Sequence, residues 1–251
     1  MQAQEYVLHH FEHFQVGDGS FWTINLDSIL MTVFLGALLL TPMMLVIRTA
    51  KIRPGLWQNI FELAFEFVLK EVKAIVPHYY DKVGPLALSL FLMIFSMNAM
   101  DLLPVDTGYL IAKLLGLHSE FKIVPTTDLN VTLALGLFTF FWINVTLWNK
   151  GGALNFLKGL VSHPFGPKLF IANIFFRVVE EVSRVFSLGM RLYGNMFAGE
   201  IIFILLAMAP LYISIPSVLL WALFHILIIF LQAFIFMMLV VINFSLALDH
   251  D

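Results

Sequence analysis

Five polar residues fall in line within an apolar stretch. Glu180, Arg184, Ser187, Arg191 and Asn195 are spaced 4, 3, 4 and 4 apart, which on a helix turning 100° per residue gathers them on one face. Arg191 is the costly member. A guanidinium near membrane depth costs at least ~2.5–3.5 kcal/mol, and it cannot shed its charge. Such a group is either functional or an arginine that pairs locally or snorkels to the interface. Glu180 and Arg184 can satisfy each other at i,i+4. Arg191 has no such neighbour, because Glu200 lies nine residues on, half a turn out of phase and ~13.5 Å along the axis.

A second group lies further along. His225 and Gln232 are seven residues apart, so they share a helix face about 10 Å apart along the axis. If two long helices fold back on each other near Pro210, Glu200 and His225 can approach. A carboxylate beside an imidazole at membrane depth suits proton relay, or forms a structural pair. Ser96, Asn98, Asp101, Asn144 and Thr146 are the other polar residues inside apolar sequence. Asn98 and Asp101 are i,i+3 neighbours near the end of a span, and either line an aqueous entry or sit as helix-end groups in the interface. His9, His10 and His13 have helix-compatible metal spacing, but in an exposed tail this is weak ground and no metal site is expected. There is no Gly-rich phosphate loop with Lys-Ser/Thr, so neither a nucleotide nor another cofactor is expected.

The elements that must hold these residues are membrane spans. Of 251 residues 60% are hydrophobic and 12% charged, with a mean hydropathy of +0.91, against ~45–50% and ~25% for soluble domains. The lack of cysteine excludes disulfides and thiolate metal sites. The net charge of −3 gives no reason to expect nucleic-acid binding. A span needs ~20 apolar residues, and five stretches qualify: about 27–47, 85–103, 129–148, 169–208 and 212–247. Asp27-Ser28 is the expected first N-cap, and Lys150-Gly151-Gly152 is expected to close the third span before a loop to Lys168. The last two stretches are too long to stand upright across a ~30 Å core and must tilt strongly or project, as a hairpin about Pro210. Residues 57–76 carry Glu62, Glu66, Lys70 and Lys73 at helical spacing. That pattern predicts an amphipathic helix, on the membrane surface or packed on a partner. The expected fold is an all-α polytopic membrane protein, with residues 1–26 as a tail and 27–251 as one membrane domain.

Basic residues set the expected orientation. The 48–84 connection holds Arg48, Lys51, Arg53, Lys70, Lys73 and Lys82, and the 149–168 loop holds Lys150, Lys158 and Lys168. The 104–128 loop has only Lys113 and Lys122, and the N-terminal tail has neither Lys nor Arg. The positive-inside rule places the N-terminal tail outside and the C-terminus in the cytoplasm. No basic n-region precedes the first span, so no cleavable signal peptide is expected. No internal repeat supports an inverted-repeat transporter. The rivals to a proton path are a self-contained channel or transporter and a purely structural anchor.

At the level of motif, Ser187-Leu188-Gly189-Met190-Arg191-Leu192-Tyr193-Gly194-Asn195-Met196-Phe197-Ala198-Gly199-Glu200 resembles the signature of subunit a of the F-type ATP synthase, proteobacterial type. Residues 221–236, from Trp221 through His225 and Gln232 to Phe236, are similar to it as well, as are 97–104 and 128–132. The resemblance implies a stator subunit packed against a c-subunit ring, beside the b-subunit peripheral stalk and the rest of F1Fo, in the bilayer of a bacterial inner membrane. It implies that two offset half-channels serve the ring carboxylates and that Arg191 is the essential charge between them. Glu200, His225, Gln232, Asn195, Asn98 and Ser187 match polar positions of the proton path. The chain departs from its relatives at Glu180-Glu181 and Arg184, where Glu180 is the expected inner-side acceptor.

Overall fold

The computed structural model describes residues 15–16, 23–51, 53–103, 107–108, 113, 122–162 and 169–249. It bears out the all-α architecture. Among the described residues six helices with given bounds carry the chain: α1 (Leu26–Arg48), α2 (Leu56–Ile75), α3 (Tyr80–Ala99), α4 (Leu129–Ser162), α5 (Phe170–Ala207) and α6 (Leu211–Asp249). Short 3-10 turns at Met100–Leu102 and Pro125–Thr127 flank the connection between α3 and α4. The strand content among the described residues is a two-residue antiparallel ladder, β1 (Gln15–Val16) on β2 (Ile24–Asn25). Five of the helices are long and apolar enough to cross a membrane, and α2 is the exception among the six. The histidines at 9, 10 and 13 lie outside the described residues.

Three boundaries differ from expectation. The first span begins at Leu26, one residue early; Asp27 sits in its first turn, accepting the Ser28 N–H at 2.8 Å. The second begins at Tyr80, with Pro85 inside it. Pro85 lies early enough that the hydrogen bond it forgoes is near the helix start. The third span runs Leu129–Asn149, close to expectation, but its helix does not stop at Lys150-Gly151-Gly152 and continues to Ser162, so most of the expected 149–168 loop is helix. A glycine inside a helix costs ~1 kcal/mol and does not by itself end one. The sequence beyond it, Ala153-Leu154-Asn155-Phe156-Leu157, still favours helix.

The core lies where α2, α3 and α6 meet. Val68 and Val72 of α2, Ala87, Phe91 and Ile94 of α3, and Phe236, Val240 and Phe244 of α6 are buried together. The Phe67 ring packs tilted against those of Phe91, Phe230 and Phe234. The amphipathic helix α2 thus packs on this chain's own spans through one edge, leaving Glu62, Glu66, Lys70 and Lys73 exposed on another. Pairs along the helices, Tyr79 with Phe244 and Phe91 with Phe230, show α3 and α6 running antiparallel.

α4 and α5 meet by glycine contact. A Cβ on Gly136 would lie 2.9 Å from the Val185 carbonyl oxygen, and one on Gly189 would lie 3.2 Å from the Thr132 carbonyl oxygen. Small residues let helix backbones approach in this way where no hydrophobic drive exists between spans. The contact fixes the rotation of α5, and with it the direction in which its polar stripe points.

Candidate functional site

α5 and α6 form the hairpin expected about Pro210, whose carbonyl accepts the Ile213 and Ser214 N–H groups that open α6. Three contacts set its register. Asn195 Nδ2 donates to Gln232 Oε1 at 2.7 Å. Gly199 lies under the His225 ring, where an added Cβ would stand 3.1 Å from Nδ1. Phe203 meets Trp221 edge to face at 6.4 Å. Each step of about one turn along α5 matches one along α6 in the reverse direction, so polar residues of the two helices meet at set levels.

His225 is fully buried, with Phe203 at 5.4 Å and Trp221 at 5.9 Å between ring centroids. Its Nε2 lies 2.7 Å from Asp101 Oδ2, at the end of α3. The two atoms are close without the alignment of a hydrogen bond, so a small rotation of either side chain makes or breaks one. Asn98 is fully buried one turn before Asp101, and neither of its amide atoms has a hydrogen-bond partner.

The expected approach of Glu200 to His225 takes a different form. Glu200 Oε2 stands 3.3 Å from Lys122 Nζ, with both side chains largely buried. Asp101 is the carboxylate at the imidazole. The reason is rotational: with Gly199 directly beneath the ring, the next residue points about 100° away, toward the segment that carries Lys122. That segment is pinned in turn, since the Lys122 N–H donates to Asp27 Oδ2 at 3.2 Å and Asn25 Nδ2 donates to Asp128 Oδ2 at 2.8 Å.

The polar stripe on α5 divides in two. Glu180 and Arg184 pair at 2.6 Å, the local pairing that i,i+4 spacing allowed. Glu181 joins them, 3.1 Å from Arg177 and 3.4 Å from Arg184. Ser187, Arg191 and Asn195 lie on the exposed side of α5, beside Gly194, whose Cβ position has nothing within 4 Å. Arg191 has no hydrogen-bond or ion-pair partner among the described residues.

Residues 29–245 match the family model described as ATP synthase A chain. The chain belongs to the ATP synthase subunit a family. It is 43% identical over 251 residues to ATP synthase subunit a of Alkalilimnicola ehrlichii, with 99% of this chain and 97% of that one covered. It is 41% identical over 259 residues to the Coxiella burnetii subunit, with the same coverage. The Tolumonas auensis subunit is 41% identical over 257 residues, covering 100% of this chain and 97% of its own.

Sequence reasoning missed two members of the site. Asp101 was legible as a polar group at a span end, but spacing could not assign it to His225 across the fold. Lys122 read as a loop charge, because ion pairing between distant segments leaves no periodic signal.

Proposed function

We propose that this chain is the proton-translocating stator subunit of a rotary ATP synthase in a bacterial inner membrane. It works against a c-subunit ring, with the b-subunit stalk and the rest of F1Fo as its other partners. The single observation that carries the reading is Arg191: a fixed charge exposed on an apolar helix, without a partner among the described residues, while Glu180, Glu181, Arg184, Glu200 and Asp101 all have partners there. A charge kept in that state needs a partner from outside, and a ring carboxylate meets the requirement.

The chemistry follows from solvation. A carboxyl facing lipid must be neutral, since an exposed ion there is too costly. On reaching the Arg191 face it can ionise. At ~4 Å and an effective dielectric of ~20 the pair attracts by about 4 kcal/mol, enough to favour the charged form without trapping it. Asn98, Asp101, His225 and Glu200, with Gln232 and Asn195 beside them, form the access path on one side, which the charge distribution assigns to the outside. The buried, unbonded amide of Asn98 supports a wetted passage, because a dry one leaves about 1–3 kcal/mol uncompensated per polar group. Protons leave on the other side, past Ser187. Arg191 separates the two half-channels, since a fixed cation repels a proton crossing directly. Each proton driven by ~100 mV supplies ~2.3 kcal/mol. The N-terminus lies outside and the C-terminus in the cytoplasm.

The test is Arg191→Ala in the whole complex. ATP-driven proton pumping in inverted vesicles is expected to stop while the complex still assembles. Normal coupled pumping by the assembled variant would falsify the reading.

A further inference from the structure

The outer cluster around His225 has a counterpart toward the other end of the hairpin. Thr139 and Asn144 of α4, Glu181 and Arg184 of α5 and Asn243 of α6 line one tight cleft, with room for about one water, which reaches Leu188, one turn before Arg191. Polar side chains from three apolar helices converge here, ~27 Å along α6 from His225 and ~15 Å along α5 from Arg191. Asn144 Nδ2 donates to the Phe140 carbonyl at 2.8 Å and Thr139 Oγ1 to that of Gly136 at 2.8 Å, so both are held in place within their own helix. Glu180 is half exposed and does not line the cleft, whereas Glu181 does.

The charges in and beside this cleft cancel: Arg177 and Arg184 against Glu180 and Glu181. Without Glu181 two guanidiniums would face one carboxylate, and the excess positive charge would repel a proton. We propose that this cleft is the proton exit on the side of Arg191 opposite Glu200, and that Glu181, not Glu180, is the positioning residue that keeps it passable to a cation. This rests on the stator reading above. The proton released from the ring carboxyl crosses the cleft on water and leaves on that side. The role of Glu181 is electrostatic: it balances the guanidiniums rather than carrying the proton.

The whole complex in inverted vesicles tests this, read by passive proton conductance after removal of the soluble sector and by assembly of the complex. Charge-lined clefts change local ion concentration by about 10–10³, so Glu181→Gln is expected to lower conductance about tenfold. Glu181→Asp should keep most of it, and Arg177→Gln combined with Glu181→Gln should recover most of it by restoring neutrality. A simple relay carboxylate would not be rescued by that double variant. The chain has no cysteine, so Asn243→Cys offers silver ion a single thiol, and the ratio of conductance before and after silver is expected to fall sharply. Full conductance in Glu181→Gln, no recovery in the double variant, or an Asn243→Cys chain indifferent to silver overturns the proposal. If Glu181→Gln does not assemble, the silver result decides alone. Should Arg191→Ala still pump, the stator reading itself fails; should it stop pumping while these results go the other way, only the cleft assignment fails.

Discussion

Replacing Gly199 by alanine should uncouple His225 from Asp101 without touching either residue. The added methyl would stand 3.1 Å from Nδ1 and 3.2 Å from Nε2, and closer still to Cε1. Ordinary contacts begin near ~3.5 Å, so the ring must move by roughly 1 Å. It has little room, with Phe203 and Trp221 packed on it and no exposed surface. Overpacking of this kind costs about 1–3 kcal/mol. The 2.7 Å approach to Asp101 Oδ2 would lengthen toward ~3.5 Å, beyond hydrogen-bond range. Misplacement of a reacting group by ~1 Å can cost about 100-fold. ATP-driven pumping in inverted vesicles is therefore expected to fall about 10- to 100-fold, with the complex assembled. Gly36→Ala is the control, since its methyl would meet only the flexible Met93 Cε at 3.7 Å. Parental pumping rates in Gly199→Ala would refute the claim that the His225–Asp101 approach lies on the proton path.

Other predictions follow from the same contacts. The Cβ position of Gly194 has nothing within 4 Å among the described residues, so with Gly194→Leu the purified subunit should keep its thermal stability while pumping by the complex is lost; unimpaired pumping would mean that no partner sits on the Arg191 face. Gly136→Val drives side-chain carbon against the Val185 carbonyl, and by the cost of overpacking it should destabilise the subunit by about 1–3 kcal/mol. An unchanged melting temperature in detergent would show that α4 and α5 do not rely on this close approach.

Much of the fold was legible because the bilayer restricts what a chain can do. With no water to satisfy backbone groups, long apolar runs must be helices, so all five spans appeared near their expected positions. The end of α4 was not legible, because glycine is a weak stop and packing decides whether a helix runs through it. Helical phase correctly separated Arg191 from Glu200 and allowed the Glu180–Arg184 pair. It also brought Glu200 and His225 to neighbouring levels of one hairpin, but level is only half of a contact. Rotation about each axis sets the other half, and Gly199 rather than Glu200 faces the ring.

The sequence by itself determined the helices, their polar stripe, and the isolation of Arg191 from any carboxylate of its own helix, since all of these depend on spacing along one axis. Only the tertiary structure decided which carboxylate meets which cation: Asp101 at His225, Lys122 at Glu200, and Glu181 in the cleft shared with Asn243. Those pairings depend on how helices rotate and approach, which the glycine contacts at Gly136, Gly189 and Gly199 fix, and no periodicity in one chain segment encodes the position of another.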